Sequence, residues 1–215
     1  MQYMNMIMEY FNHTWGYVEL VGTVCSLVCV YLAIQQNIWT WFWGAVGVAC
    51  FGPLFFHYQL YSDAGLQILF YLPAQALGWY WWSSKGANGV IGLPVSVLST
   101  RTFTAILLAV VAVSGLNGWI MATYTDASFP YVDALTTWLS IAAQLLMIKK
   151  VVQSWVLWVT MDVIAIYVYF VKGLIVVSGL YVLFLALAIL GGVAWYRASL
   201  KTNIQRVDGC EHKTV

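Results

Sequence analysis

Two stretches of equal length decide the fold: VELVGTVCSLVCVYLAI at residues 18–34 and VDALTTWLSIAAQLLMI at residues 132–148. They align at a shift of 114 residues, and the alignment runs without a gap from residues 18–81 onto residues 132–195. Aliphatic matches are common in so skewed a composition, but matched tryptophans and glycines are not. We therefore predict that the chain contains one hydrophobic unit twice. The matched pairs are Val18/Val132, Thr23/Thr137, Ser26/Ser140, Leu32/Leu146, Ile34/Ile148, Trp41/Trp155, Leu66/Leu180, Leu69/Leu183, Gly78/Gly192 and Trp81/Trp195.

The composition is that of a membrane protein with several spanning segments. Of the 215 residues, 62% are hydrophobic and only 8% are charged, and the mean hydropathy is +0.81. Lipid cannot satisfy free backbone polar groups, and non-alternating apolar runs of about 20 residues favour helices over a barrel. We therefore predict an all-α membrane protein with seven transmembrane helices and no separate soluble domain. The predicted spans are residues 16–35, 38–58, 64–84, 103–121, 131–148, 153–171 and 174–196.

The order of these spans predicts a 3+1+3 arrangement with parallel repeats. Three spans are an odd number, so a further span at residues 103–121 must return the chain before the second copy begins. Eight Lys and Arg residues fall on one side and only Lys172 on the other, which predicts an external N-terminus and a cytoplasmic C-terminus. Duplicated transporters often bind small molecules where their repeats meet. The predicted divisions are a first three-helix bundle at 1–84, a loop and linker helix at 85–129, a second three-helix bundle at 130–197 and a cytoplasmic tail at 198–215.

The sixth span carries the strongest candidate for a ligand contact, Asp162, about 14 Å deep at 1.5 Å per residue. A charged Asp at that depth costs about 2.5–3.5 kcal/mol on insertion scales. It should therefore either be a packing residue that is protonated or hydrogen-bonded, or contact a ligand or an ion. Trp155 and Trp158 share its helical face, with Tyr169 further along. Two indoles beside a carboxylate suit a flat, cationic aromatic ligand, although Trp155 alternatively belongs to an interfacial aromatic belt.

The third span carries a polar face formed by Gln67, Tyr71 and Gln75, which Gly78 and Trp82 continue at helical spacing. Gln75 lies about 16 Å below the outer surface, near the middle of the membrane. Amides at this depth usually face the bundle interior. We expect them to bond either to neighbouring helices or to the hydroxyl and amide groups of a substrate.

The fifth span carries a comparable row of polar residues, Thr137, Ser140 and Gln144, which starts from the acid Asp133. The first span places Glu19 at the position equivalent to Asp133. Both acids lie within about one turn of the outer surface. They either complement the positive ends of their helices or form an acidic vestibule that attracts cations.

Two prolines distinguish the halves. Pro53 and Pro73 interrupt the hydrogen-bond ladders of spans two and three, whereas their counterparts Tyr167 and Leu187 do not. The first half is therefore predicted to be kinked and the second straight. Such an asymmetry suits a moving half beside a more rigid one, or is simply a static kink.

Other classes of function fit less well than a transporter. No Gly-rich phosphate loop, nucleophile–base pair or metal-ligand cluster is visible, so neither an enzyme nor a cofactor or metal is predicted. The net charge of +1 does not favour nucleic acid. A seven-helix retinal receptor needs a lysine in its last span, where none occurs, and a scaffold does not call for polar rows in both copies. The predicted partners are therefore a small-molecule substrate and the lipid bilayer, with a homo-oligomer left open.

The sequence resembles the PnuC family of bacterial vitamin transporters over nearly the whole chain. No single stretch is specific, but together they are. They are VELVGT (18–23), YQLY (58–61), LQ (66–67) and GWYWW (78–82) in the first half, and FPYVD (129–133), LSIA (139–142), KK (149–150) and WVLWVTMD (155–162) in the second.

The resemblance implies a SWEET-like inner-membrane carrier that admits unphosphorylated nicotinamide riboside by facilitated diffusion. A cytoplasmic kinase then phosphorylates the vitamin, which prevents its exit. Relatives carry thiamine or riboflavin. The family's Trp-x-x-Trp motif, implicated in substrate binding, falls on Trp155 and Trp158.

The sequence departs from the family's nicotinamide riboside pattern at four positions, where asparagines are expected and Gly47, Gln75, Asp162 and Leu190 occur. The fold is unaffected, but the choice of substrate is. Nicotinamide riboside and thiamine are both cationic aromatic molecules with a hydroxyl group, and Asp162 suits either. We expect nicotinamide riboside, with thiamine and then riboflavin as alternatives.

Overall fold

The computed structural model describes residues 14–57, 61–84, 93–125, 129–171 and 175–211. Within these residues the chain is helical apart from short connections, and the predicted all-α class is confirmed. Lys85, Lys172 and Lys213, which contribute to the predicted orientation, lie outside this part of the chain. The elements are α1 (Thr14–Ile34), α2 (Trp39–His57), α3 (Tyr61–Leu66), a π-helical segment (Gln67–Tyr71), α4 (Leu72–Ser83), α5 (Thr100–Tyr124), α6 (Pro130–Ile148), α7 (Gln153–Val171) and α8 (Ile175–Glu211).

Six of the described helices, α1, α2, α5, α6, α7 and α8, are long and apolar enough to cross a membrane. The seventh predicted span, 64–84, is divided among α3, the π-helical segment and α4. Its backbone stays right-handed at both joints, with φ −61° and ψ −43° at Leu66 and φ −62° and ψ −49° at Leu72. These three elements therefore form one helix, here called the third span. The last helix, α8, continues to Glu211 and so extends into the predicted tail.

Each repeat ends its first helix with the same turn. Gln36 and Lys150 adopt the left-handed backbone conformation, with φ of 57° and 51°. In both turns this residue and the next one donate backbone N–H bonds of 2.9–3.0 Å to carbonyls three and five residues earlier, which is a Schellman motif. Because Gln36 and Lys150 are themselves 114 residues apart, the duplication extends to the hydrogen bonds of the turn.

The described residues form two compact units that divide between residues 85 and 86. In the first unit α2 packs against α1 and against the third span, and in the second unit α7 packs against α6 and α8 in the same way. The linker helix α5 packs on α6 and belongs to the second unit. Side chains of α5, α6, α7 and the α6–α7 turn form a hydrophobic cluster there, consisting of Val110, Leu139, Ala143, Leu146, Val151 and Leu157.

Residues 93–99, here called the strap, attach the start of α5 to the turn between α6 and α7. The Ser96 N–H donates to the Lys150 carbonyl at 3.0 Å, and the Val152 N–H donates to the Ser96 carbonyl at 2.9 Å. The Gln153 amide bonds the Leu98 backbone twice, donating to its carbonyl at 2.9 Å and accepting from its N–H at 3.1 Å. The strap thus adds polar bonds to the apolar packing of the second unit.

The π-helical segment is explained by the proline that follows it. Pro73 cannot donate a backbone hydrogen bond, and its ring would collide with the carbonyl four residues earlier in a regular helix. The chain relieves this by a π-turn, in which the Leu72 N–H bonds the carbonyl of Gln67, five residues back. Pro53, by contrast, leaves α2 undivided from Trp39 to His57. The predicted asymmetry therefore takes the form of one bulge in the third span.

This bulge displaces two of the sequence matches by one residue. A Cβ on Gly78 would overlap the indole of Trp41, and a Cβ on Gly191 would lie 2.5 Å from the indole of Trp155. Gly78 thus corresponds to Gly191, 113 residues on, and not to Gly192. In the same way Trp82, rather than Trp81, corresponds to Trp195. A π-turn holds about one residue more than an α-turn, which the ungapped alignment could not show.

Candidate functional site

The second unit buries a carboxyl group inside its helix packing. Asp162 of α7 is 4% exposed, and neither a hydrogen bond nor an ion pair to it is found among the residues that the structure describes. At the equivalent position the first unit has the buried, apolar Val48. An unpaired polar group inside a membrane protein is costly, and such residues are commonly functional. For the predicted packing role, no hydrogen-bond partner of Asp162 is found in this part of the chain, and a protonated packing residue or a ligand contact stays a prediction.

Trp155 is a core residue of the contact between α7 and α8. Its side chain is 3% exposed and lies against Gly191, and its ring meets Trp195 edge-on at 5.5 Å and 87°. A tryptophan in an interfacial belt would be exposed to lipid headgroups, so this burial argues against the belt interpretation. Its Nε1 group is buried without a hydrogen-bond partner among the described residues.

Trp158, one turn further along α7, is only half-buried. It packs against the hydrophobic cluster of the second unit. Tyr169, predicted on the same face, stacks on Tyr181 of α8 at 5.2 Å and 22°. The predicted aromatic face is therefore turned inward, and of its two tryptophans Trp158 retains the greater exposed area.

The polar row on α6 becomes more buried with depth. Thr137 is half-buried, whereas Ser140 and Gln144 are 6% and 7% exposed. The Ser140 hydroxyl donates to the Thr137 carbonyl at 2.9 Å, so its bonding is satisfied locally. Gln144 is the member of this row whose long amide is best suited to reach a ligand.

In the first unit the buried amide is that of Gln75. Its side chain is 7% exposed and lies directly on Gly44 of α2, where a Cβ would be 2.6 Å from the amide oxygen. That oxygen is buried and has no hydrogen-bond partner among the described residues. An unsatisfied buried acceptor costs about 1–3 kcal/mol. A substrate N–H or O–H group would remove this cost.

The other polar residues of the third span lie in the bulge. Gln67 and Tyr71 are half-buried and mark the two ends of the π-helical segment. The bulge interrupts the single continuous face predicted from Gln67 to Trp82. Gln75, Gly78 and Trp82 share the buried face of α4, while Gln67 and Tyr71 lie within the bulge.

The two outer acids are not equivalent in the structure. Asp133 is half-buried in the first turn of α6, where it complements the helix dipole. Glu19 is also half-buried but lies beyond the first turn of α1. The capping interpretation therefore fits Asp133 better than Glu19.

Sequence reasoning missed the residues that make room for the candidate side chains. Gly44 accommodates the Gln75 amide, and the position 114 residues after Gly44 is Trp158. After the bulge, the counterpart of Gln75 is Ala188, which is 3% exposed. Each unit thus combines one small and one large residue, but in opposite helices. The only signal in the sequence is a glycine in one repeat matched to a tryptophan in the other.

Six long apolar helices, a further span divided by a π-helical segment, and a few deeply buried polar groups are the features of a multi-pass membrane protein, and its two similar units are typical of transporters. The chain belongs to the nicotinamide mononucleotide transporter family, whose sequence profile matches residues 16–197. It is therefore a protein of the bacterial inner membrane and not an enzyme.

Curated relatives cover most of the chain at modest identity. The nicotinamide riboside transporter PnuC of Escherichia coli K12 is 29% identical over 208 residues, which cover 86% of this chain and 87% of that protein. The riboflavin/roseoflavin transporter RibM of Streptomyces davaonensis is 26% identical over 199 residues, covering 89% and 90%. Relatives that are named for different substrates are therefore similarly distant from this chain.

A solved structure shows the same fold. The crystal structure of the vitamin B3 transporter PnuC matches with a TM-score of 0.72 at 20% identity, covering 90% of this chain and 86% of that one. At this identity the match establishes the fold alone. The resemblance inferred from the sequence is thereby confirmed at the level of family and fold.

Proposed function

We propose that this protein carries nicotinamide riboside across the bacterial inner membrane by facilitated diffusion, and that a cytoplasmic kinase then traps the vitamin by phosphorylation. The observation that carries this proposal is the buried carboxyl group of Asp162, which has no partner among the described residues, in a chain whose relatives include nicotinamide riboside transporters. The positively charged pyridinium ring of the vitamin would stabilise the negative charge of a buried carboxylate.

The proposed roles follow from burial and chemistry. Trp158 stacks on the vitamin ring, because its side chain is only half-buried. Trp155, which is buried, supports this stack from the core of the unit. Asp162 balances the ring charge. Gln75 accepts a hydrogen bond from the amide or ribose through its unsatisfied oxygen. The remaining proposed contacts are Gln67, Tyr71, Gln144, Thr137 and Ser140, with Glu19 and Asp133 attracting the cation at the outer surface.

Two other vitamins define the alternatives. Thiamine is also a cationic aromatic molecule, and the proposed contacts would accept it on the same grounds. Riboflavin is favoured by the similarity to RibM, but its neutral ring system offers no charge to Asp162. The carboxyl group therefore ranks riboflavin third.

The same proposal includes the topology. The basic residues support an external N-terminus and a cytoplasmic C-terminus. The repeated turns at Gln36 and Lys150 support a 3+1+3 order with α5 as the linker, since both copies then enter the membrane in the same sense.

Calorimetry on the purified protein with the three vitamins, side by side, tests the choice of substrate. We expect nicotinamide riboside to bind most tightly, thiamine less tightly and riboflavin least. Tightest binding of riboflavin would overturn the charge argument, and binding of none of the three would overturn the proposed function.

The variant Asp162→Asn tests the role of the charge. We expect the Kd for nicotinamide riboside to rise about 10-fold or more, because removing one partner of a buried charge pair costs about 2–5 kcal/mol and about 1.4 kcal/mol is a factor of ten in Kd. Riboflavin is the matched control ligand, since its binding should not depend on the charge. An equal loss for both ligands would indicate a structural defect, and no loss for either would show that the carboxylate does not recognise the cation.

A further inference from the structure

The third span holds one residue more than α8 between two fixed points. Before the bulge, Ala64 and Ser178 are both buried and lie 114 residues apart. After it, Gly78 and Gly191 make the same contact with a tryptophan at a separation of 113. The π-helical segment Gln67–Tyr71 lies between these points and accommodates the additional residue.

The helix cannot relieve the bulge by sliding. Gly78 lies so close to the indole of Trp41 that any Cβ there would overlap it. A slip of one residue would bring Leu77 or Trp79 to this place, and neither side chain fits. The contact between Gly78 and Trp41 therefore fixes the register of α4.

Pro73 sets where the bulge lies. The Leu72 N–H is bonded to the Gln67 carbonyl, so the next carbonyl in the π pattern, that of Ile68, would need an N–H group from residue 73. Proline has none. The distortion is therefore confined to the segment just before Pro73, which is where Gln67 and Tyr71 stand.

The corresponding positions of the second unit serve packing instead. The counterpart of Gln67 is Tyr181, which stacks on Tyr169 at 5.2 Å and meets Phe184 at 6.1 Å. α8 is α-helical throughout this region. The bulge and the amide of Gln67 thus occur together in one unit, and neither occurs at the described equivalent positions of the other.

We propose that the π-bulge, held in place by Pro73, is a positioning device for substrate recognition: it aims Gln67 and Tyr71 at the vitamin while Gly78 stays on Trp41. This inference rests on the proposed function, because it assigns those two side chains to the substrate. In an unbulged helix Gln67 would take the direction that Tyr181 has in the second unit, and Tyr71 would turn with it.

A variant that lacks Leu69 and carries Pro73→Ala tests this proposal. Leu69 is 80% exposed, so its deletion removes little packing and returns the segment to a regular helix with both fixed contacts kept. We expect a Tm near that of the wild type but a Kd for nicotinamide riboside about 10-fold higher, because the side chains of Gln67 and Tyr71 would no longer point toward the vitamin. Leu69→Ala is the matched control, since it keeps both the residue count and Pro73, and it should bind almost normally. Pro73→Ala keeps the residue count but frees the bulge to shift along the helix, so its Kd should lie between those of the wild type and the deletion.

Deletion of Leu183 in α8 is the control for register. This residue is 47% exposed and occupies the position matched to Leu69, but no bulge is available there to absorb the loss. Gly191 would be moved off Trp155, and we expect a large fall in Tm.

The outcomes separate the two proposals. If the Leu69 deletion melts as early as the Leu183 deletion, the bulge does not hold the additional residue and the inference is wrong. If it folds and binds with unchanged Kd, the bulge does not aim the recognition residues, while the proposed function stands. If the wild type binds none of the three vitamins, the proposed function and the recognition role both fall, and the comparison of the two deletions still decides the register argument.

Discussion

Each unit packs its helices around one tryptophan, which is Trp41 in the first unit and Trp155 in the second. Each lies flat on a glycine and meets a second tryptophan edge-on, at 5.1 Å and 88° for Trp41–Trp82 and at 5.5 Å and 87° for Trp155–Trp195. Edge-to-face aromatic pairs contribute about 0.5–1.5 kcal/mol beyond their buried area. The repeat therefore preserves a glycine–indole–indole contact, which explains why tryptophans are the clearest matches in the sequence.

Gly191→Ala should destabilise the protein, whereas Gly179→Ala in the same helix should not. The Cβ at residue 191 would lie 2.5 Å from the Trp155 ring, while a Cβ at residue 179 meets nothing within 4 Å. Overpacking costs about 1–3 kcal/mol, and each kcal/mol lowers the Tm of a chain of this size by about 2–4 °C. Thermal unfolding of both variants in detergent measures the difference.

The control variant should be neutral or slightly stabilising, since Ala is the better helix former. Equal Tm values for Gly191→Ala and Gly179→Ala would show that the close approach of α7 and α8 is not rigid.

Burial of the candidate residues could be predicted in part. The depth and face of Asp162 followed from its position along an apolar helix, and it is indeed buried. The unsatisfied oxygen of Gln75 could not be foreseen, because it depends on Gly44 of another helix. Helical periodicity shows which residues share a face, but not which residue of the neighbouring helix they meet.

At the scale of elements, the strap shows how a loop can be held by the turn between two neighbouring helices, α6 and α7. Val95 and Val151 are 7% and 3% exposed, so the strap also contributes to the apolar packing. Lys150, in the turn that the strap contacts, is buried, and burial lowers the pKa of its ammonium group. Only residues distant in the sequence make these contacts, and no local pattern indicated them.

Gln153→Ala should loosen the strap, because it removes both bonds to the Leu98 backbone. Two neutral hydrogen bonds contribute about 1–3 kcal/mol together, which predicts a fall in Tm of several degrees. Hydrogen exchange should also become faster at Leu98 and Ser96. Thr160→Ala is a suitable control, since its exposed side chain bonds only within its own helix.

Normal exchange at Leu98 in Gln153→Ala would mean that the backbone bonds of Ser96 hold the strap without the glutamine. Slower exchange would contradict the assigned bonding altogether.

At the scale of the whole molecule, the prediction concerns the direction of transport. In proteoliposomes, labelled nicotinamide riboside should enter until its concentrations inside and outside are equal, with no ion gradient and no ATP. Entrapped kinase with ATP should raise the total label inside, because the phosphorylated product is not a substrate. Uptake by the Asp162→Asn variant serves as the control for carrier-mediated entry.

Accumulation of unmodified vitamin above its external concentration, driven by a sodium or proton gradient, would show ion coupling and contradict facilitated diffusion. Failure of the kinase to raise the internal label would contradict trapping but not the transport itself.

Class, duplication and family followed from the linear chain, because each rests on a signal that the chain carries locally. Runs of apolar residues define spans in lipid whatever surrounds them, and a repeat of 114 residues is visible without any contact. The register of the third span depended on tertiary contacts, since it is fixed by the steric fit of Gly78 on Trp41. The same holds for the Gln75 amide on Gly44 and for the strap on the α6–α7 turn. Close packing is decided between helices, where one additional residue in a π-turn shifts every contact that follows it.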